Sequence, residues 1–340
     1  MSGGANSDAR APVSADNPAQ PSPAAGNSVK ITDVACAVIE RGDGSFLLAQ
    51  RPPGKPYAGY WEFPGGKVES TETPAIALAR ELEEELGIAV ETAYPWITRM
   101  HVYAHATVRL HFFRVVSWKG EPHGREQQAF AWQRPQETSV APMLPANAPI
   151  FAALALPRLY AISNAGEMGA ADFLTRLDSA LASGLRLIQF REKNLSEAEA
   201  RALLGEVMRR ARPCGAKVLV NSAHASLRTL ADGLHLTAAD LSRTAARPSP
   251  SLLGASCHDA AELARAAMLG CDFALLGPVA ATATHPGLPA LGWMGFGALA
   301  RDSPIPVYAV GGMRLEDISN AWQHGAHGIA SMRAIWETGR

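Results

Sequence analysis

The sequence predicts an α/β protein in two parts, a sandwich of mixed sheet and helices followed by a compact parallel (β/α)₈ barrel. Three observations predict it. From residue 158 onward, eight short apolar runs (RLYAIS, RLIQFRE, KVLVNS, GLHL, LLGAS, FALLGP, PVYAVGG, HGIASMR) are separated by helical stretches such as SEAEARALLGEVMRRA and DAAELARAAMLG. A strand-then-helix rhythm repeated eight times closes a parallel sheet on itself, here within roughly 180 residues against about 250 typical of such barrels. Before residue 158 the runs alternate and surround one well-capped helix, as in a mixed sheet with a solvated side. The rhythm changes around Leu156-Pro157 with little linker, which places domains at 30–155 and 157–337.

Residues 1–29 are mostly Ala, Pro, Ser, Gly and Asn with almost no large apolar side chains; they cannot offset the entropy of ordering, so a disordered tail is expected. VKITDVACAVIER and SFLLAQR around the Asp43-Gly44 turn predict a hairpin ending at Arg51. In WEFPGGKVESTETPAIALARELEEELGI, Thr73 can cap a helix, Pro74 suits its first turn and Gly87 can end it. At about 100° per residue, Ala75, Leu78, Ala79, Leu82 and Leu86 form an apolar stripe beside which Glu81, Glu84 and Glu85 converge. TRMHVYAHATVRLHFFRVVSW predicts two strands, Ala129 to Gln133 another, and a helix starting near Asn147-Ala148-Pro149 closes the part.

Composition narrows the function. The formal net charge is −1 over 340 residues, which leaves no footprint for polymeric nucleic acid or an acidic membrane surface and points to a small-molecule partner. Cys36, Cys214, Cys257 and Cys271 are scattered without metal or redox spacing. No apolar run reaches the roughly 18 residues of a membrane span, and the start lacks the apolar core of a secretory signal. A soluble cytoplasmic protein with reduced thiols is expected.

Three carboxylates on one side of a helix repel unless they are solvated or share a counter-charge, and a hard divalent cation such as Mg²⁺ is the ion that bridges carboxylates to phosphates. The spacing Gly66, Glu72, Arg80-Glu81-Leu82, Glu84-Glu85, Gly87-Ile88 resembles, position for position, the signature of the Nudix hydrolases, and the similarity to their MutT type extends over about residues 30–155. That resemblance implies an α/β/α sandwich and a Mg²⁺ site, with Mn²⁺ as the alternative ion, made by Gly65, Glu81, Glu84, Glu85 and a distal Glu126. Arg80 and Glu72 would be a structural ion pair. Arg51, Glu62 and Phe63 match substrate-contacting positions. Asn147, in Pro145-Ala146-Asn147-Ala148-Pro149, matches the residue that reads an oxidised purine, the other reading being a helix cap. Pro56 and Ala106 depart from the pattern, which bears on selectivity.

The second part resembles thiamine-phosphate synthase and its relative TenI, a thiazole tautomerase, in Gln189-Phe190-Arg191-Glu192-Lys193, Asn221, Gly233-Leu234-His235-Leu236, Asp240, Ser256-Cys257-His258, Gly277-Pro278, Thr282 with Thr284, and Gly311-Gly312. The resemblance implies a TIM barrel with its site at the strand C-terminal ends. Arg191, Lys193 and Gly312 would hold phosphate, Gln189, Asn221, Ser256, Thr282 and Thr284 would line the site, and Asp240 would hold Mg²⁺. Ser222 replaces a metal-binding Asp, His285 a Lys and Thr237-Ala238 a Gly-Gln, which favours a TenI-like barrel with His258 as the proton-transfer residue. The expected function is hydrolysis of 8-oxo-dGTP to monophosphate and pyrophosphate, with a thiamine-precursor phosphate as a candidate barrel ligand. Two alternatives stay open: both parts serve thiamine metabolism, or the barrel is a non-catalytic phosphate-ligand sensor or scaffold.

Overall fold

The computed structural model describes residues 30–125, 128–135, 137–249, 252–282 and 289–337. The expected tail, 1–29, and three residues singled out above, Glu126, Thr284 and His285, lie outside the described residues.

The first part has strands β1 (Ile31–Ile39), β2 (Phe46–Gln50), β3 (Trp61–Glu62) and β4 (Gly65–Lys67), helix α1 (Pro74–Leu86), strands β5 (Ala89–Val102), β6 (Thr107–Lys119) and β7 (Phe130–Gln133), and helix α2 (Ala148–Leu154). They build two sheets, ordered β4-β1-β6-β5 and β3-β2-β7. Alternation along β1 sets the layers. Ala35, Ala37 and Ile39 pack with Leu78, Leu82 and Leu86 of α1, whereas Cys36 and Val38 face Phe46, Leu48 and Ile150 of the second sheet and α2.

The expected hairpin of β1 and β2 does not form. The two strands meet only at a Glu40–Phe46 bridge and then part into different sheets. Phe46, Leu47 and Leu48 are all buried, so β2 is covered on both faces, and its two edges pair with β3 and β7. The apolar stripe of α1 is also shifted: Ala77 is buried and Ala75 is exposed, because the Glu81 side of the helix leans over the Gly65-Gly66 strand.

The second part is a closed barrel of eight parallel strands, β8 (Leu159–Ile162), β9 (Leu187–Phe190), β10 (Lys217–Asn221), β11 (Gly233–Leu236), β12 (Leu252–Cys257), β13 (Phe273–Leu276), β14 (Val307–Val310) and β15 (Gly328–Ser331). All eight coincide with the apolar runs of the sequence. Helices α3 (Ala165–Met168), α4 (Ala170–Ala182), α5 (Glu197–Ala211), α6 (Ala238–Arg243), α7 (Ala260–Leu269), α8 (Gly292–Ala300), α9 (Ile318–Gln323) and α10 (Ala334–Glu337) alternate with them, and a 3₁₀ segment, Ser222–Leu230, follows β10. Tyr160, Phe273, Leu275 and Tyr308 fill the barrel interior. Among the described residues no helix is long and apolar enough to cross a membrane.

The two parts meet in a polar seam. Arg114 of β6 forks onto both oxygens of Glu40, the shortest contact being 2.7 Å, and also donates to the His327 carbonyl at 3.4 Å. Arg158, ahead of β8, reaches the same carboxylate at 2.6 Å. The Trp96 indole N–H donates to His327 Nδ1 at 3.2 Å, so the neutral ring carries its proton on Nε2 and donates it to the Leu156 carbonyl at 3.0 Å.

Candidate functional sites

The sandwich cleft starts from the ends of α1. Thr73 Oγ1 accepts the Ile76 N–H at 3.3 Å, Pro74 opens the helix, and Gly87, at φ 66°, closes it in the left-handed region. In β4, Gly65 has φ 137° and lies so close to β1 that a Cβ would stand 2.1 Å from the Ala35 carbonyl oxygen; a Cβ on Gly66 would stand 2.2 Å from the carboxyl carbon of Glu81. The Gly-Gly pair is therefore what lets the strand and the glutamate share this space.

Arg80 organises the loop. Its Nε and Nη2 bind Glu72 at 2.8 and 2.9 Å, Nη2 also reaches the Lys67 carbonyl at 3.1 Å, and Nη1 binds Glu81 at 2.9 Å and Glu84 at 3.3 Å. These bonds hold the Glu72 carboxyl below the usual range. The three glutamates consequently do not converge as the sequence suggested. Glu84 turns outward, 60% exposed, and the described residues include no cluster of three metal-ligating His, Cys, Asp or Glu side chains.

Glu85 is different. Its Oε2 lies 3.4 Å from the Gly65 N–H, and burial pushes its carboxyl up to about 7, with Lys55 opposing and the Glu81 charge adding to the rise. Two carboxylates against a close-packed Gly-Gly strand, one of them short of compensating charge, are hard oxygen donors of the kind a divalent cation takes. The donor set of Glu81, Glu85 and Gly65 fits Mg²⁺ or Mn²⁺.

Arg51 and Glu62 face each other at 2.5 Å, and Arg51 Nε donates to the Pro56 carbonyl at 2.7 Å. Burial raises the Glu62 carboxyl against the pull of Arg51. Asn147 is buried and makes no cap bond to α2; its Nδ2 donates to the Trp61 carbonyl at 3.1 Å. Phe63 belongs to the core instead, its ring centroid 5.5 to 5.8 Å from those of Phe46, Phe112 and Phe151. Its side chain points inward because Glu62 and Phe63 alternate across the strand line.

In the barrel, a cavity of about 610 Å³ opens at the C-terminal ends of the strands and is lined by Gln189, Arg191, Asn221, Ser256, His258, Thr282 and Gly312 among others. Lys193 and Asp240 lie outside this lining. Beneath the cavity runs a buried polar chain: Ser256 Oγ to His235 Nε2 at 2.9 Å, His235 Nδ1 to Tyr160 OH at 3.2 Å, Tyr160 OH to Gln189 at 3.4 Å, and Gln189 to Asn221 at 3.0 Å. Burial, helped by the Arg191 charge, pushes His235 down to about 3, so its ring is neutral. Ser331 and Arg333 also line the cavity. Sequence reading did not single them out, although both stand at or just past the end of the last strand run.

Asp240 does not fit a cation. Its Oδ2 accepts from Ser222 Oγ at 2.6 Å and Thr237 Oγ1 at 2.8 Å, and its Oδ1 accepts from Arg243 at 2.6 Å. The hydroxyl bonds and Arg243 hold its carboxyl below the usual range. With Ser222 supplying a donor where a metal needs a second acceptor, Asp240 is tied into the start of α6 and no step here is assigned to Mg²⁺.

Comparison with known proteins agrees with both halves. Residues 30–154 match the family described as NUDIX domain, and residues 159–335 the family described as thiamine monophosphate synthase. The chain is 40% identical over 125 residues, 37% of its length, to the CTP pyrophosphohydrolase of Escherichia coli, covering 92% of that protein. It is 40% identical over 119 residues, 35% of its length, to the 8-oxo-dGTP diphosphatase of Haemophilus influenzae, covering 88% of it. To the putative thiamine-phosphate synthase 2 of Aquifex aeolicus it is 34% identical over 185 residues, 54% of its length, covering 99% of that protein.

Proposed function

The chain belongs to the Nudix family over residues 30–154 and to the thiamine monophosphate synthase family over residues 159–335, and from that premise we propose that it is a Mg²⁺-dependent nucleoside triphosphate pyrophosphohydrolase acting on 8-oxo-dGTP, joined to a barrel that holds a small phosphate ester. The observation that carries the purine reading is Asn147, whose buried amide is anchored on the Trp61 carbonyl instead of capping its helix. A fixed amide offers donor and acceptor to one base edge.

Glu81, Glu85 and the Gly65 main chain would hold the cation, which would supply positive charge for the phosphoryl oxygens and lower the pKa of a water. Arg80 positions Glu81 while clamping the Glu72 loop, and Arg51, paired with the half-buried Glu62, meets the nucleotide at the β2–β3 side. The family pattern also assigns Glu84 and Glu126 to the carboxylate set; Glu84, paired with Arg80 and turned to solvent, would have to swing inward to join it. In the barrel, Arg191 and Gly312 bind phosphate and His258 moves a proton.

A second reading, a pyrimidine nucleoside triphosphate as substrate, is favoured by the equal identity to the protein named CTP pyrophosphohydrolase and by Pro56 and Ala106. The test is pyrophosphate release by the full-length protein with Mg²⁺ from 8-oxo-dGTP, dGTP, CTP and thiamine diphosphate, in parallel with Asn147→Ala. Loss of one bidentate base contact is worth about 1–3 kcal/mol, so the variant should lose about 10- to 100-fold of its preference for the oxidised purine. A preference for CTP selects the second reading, and a preference for thiamine diphosphate moves both halves into thiamine metabolism.

A further inference from the structure

Between the end of β12 and the start of α7, the His258 side chain on the cavity wall meets a carboxylate from the next turn. His258 Nδ1 lies 3.0 Å from Glu262 Oε2, and the same oxygen accepts the His258 backbone N–H at 2.6 Å. Glu262 is itself fixed, because its N–H donates to Asp259 Oδ1 at 2.9 Å, where Asp259 caps α7. Ring, main chain and helix start are thus tied to one carboxylate, and His258 lines the cavity from that anchor.

We propose that Glu262 is the positioning residue of the barrel site: it fixes His258 as the Nδ1–H tautomer, so that the neutral imidazole carries its lone pair on Nε2 for proton transfer to and from a ligand in the cavity. An ionised carboxylate only accepts hydrogen bonds, so the contact at Nδ1 requires a proton on that nitrogen. The same carboxylate neutralises the imidazolium formed when Nε2 takes a proton, which is the service a carboxylate renders to a catalytic histidine. In the step this supports, a bond to hydrogen on the ligand breaks, its electron pair stays on the ligand, and an Nε2–H bond forms. Return of that proton to a different atom of the ligand completes an isomerisation that needs neither oxidant nor co-reactant. With Asp240 consumed by Ser222, Thr237 and Arg243, this chemistry is assigned to side chains alone. The ligand class is a phosphate ester with an acidic hydrogen, held by Arg191 and the Gly311-Gly312 turn. The inference rests on the reading of the barrel as a proton-transfer site, but its test does not depend on turnover.

The experiment is nitrogen-15 NMR of the full-length protein with labelled histidine, near neutral pH, with the His258 signals assigned by their loss in His258→Gln. The wild type should show a protonated Nδ1 and an unprotonated Nε2. Glu262→Gln keeps one oxygen for both the backbone N–H and Nδ1, so the start of α7 and the Nδ1–H tautomer should survive. Glu262→Ala removes that acceptor, and the population protonated on Nε2 should rise. A wild-type ring protonated on Nε2, or an unchanged Nδ1–H tautomer in Glu262→Ala with the fold intact, overturns the proposal. Adding inorganic phosphate to uniformly nitrogen-15-labelled protein separates the two claims: shifts at Arg191 and Gly312 support the barrel as a phosphate site, whereas their absence overturns that reading and leaves the tautomer result standing or falling alone.

Discussion

Glu40→Ala removes the carboxylate on which both arginines of the seam converge. The Arg114 and Glu40 side chains are only 6% and 8% exposed, so the guanidinium left behind keeps its desolvation cost and loses its counter-charge, a loss of about 3–5 kcal/mol when one partner of a buried pair is deleted. Arg158 is 43% exposed, and its share is that of a surface pair, up to about 1 kcal/mol. Part is retained: the Arg114 guanidinium sits 5.1 Å from the Trp96 ring and 5.8 Å from the Trp322 ring, contacts worth about 0.5–2 kcal/mol each. The net expectation is about 3 kcal/mol, which at about 3 kcal/mol per molar urea lowers the unfolding midpoint by about 1 M. Tryptophan fluorescence is the assay, because Trp96 and Trp322 border the pair on opposite sides of the seam. The double replacement Glu40→Leu with Arg114→Met should recover most of the loss, since no buried charge remains unpaired. A single-variant shift below about 0.2 M would mean that water reaches Arg114 in the folded protein and would refute the reasoning.

Other outcomes follow from local geometry. His327 is buried at the same seam and pushed down to about 3 by burial and by the Arg114 charge; the unfolded ring protonates near 6.5, so the unfolded chain binds more protons between these values and stability is lost as pH falls through that window. Its share is at most about 5 kcal/mol, and urea midpoints against pH should fall less steeply in His327→Gln, with His235 supplying a residual slope; equal slopes would exclude the effect. Gly66→Ala drives a methyl into the Glu81 carboxylate, the mobile end of a side chain, so the melting temperature should hold while, on the metal role proposed for Glu81, pyrophosphate release drops at least about 100-fold. Gly65→Ala, by contrast, meets backbone and adopts φ 137°, and should destabilise the protein itself.

The barrel was readable because each strand is a short apolar run bounded by turn residues, and both ends of α1 because Thr73, Pro74 and Gly87 each have a local reason to stand where they do. The Arg80–Glu72 pair came from a family pattern and appears as a two-point fork. What the sequence hid were contacts between distant residues. Nothing local says that β2 leaves β1 for β3 and β7, or that Glu40, Arg114 and Arg158 meet, since their separations in the chain exceed any helix or hairpin spacing. Phe63 stands beside a charged residue in a motif matched to ligand contacts, and only its ring partners show it to be core.

The same limit governs the divergence between the two acidic sites. Glu81 and Glu85 are four residues apart on one helix, so their proximity can be computed from helical geometry alone. Asp240 and Ser222 are 18 residues apart and are brought together only by the pairing of β10 with β11. Substituting a hydroxyl for a carboxylate at Ser222 changes the sign of the interaction, from two acceptors that need a cation to a donor that satisfies the remaining acceptor. The Thr237 hydroxyl and Arg243 then fill the rest of the Asp240 carboxylate. The Ser222 hydroxyl thereby ties Asp240 into the first turn of α6, and the proton transfer proposed for His258, just past the end of β12, calls on no metal.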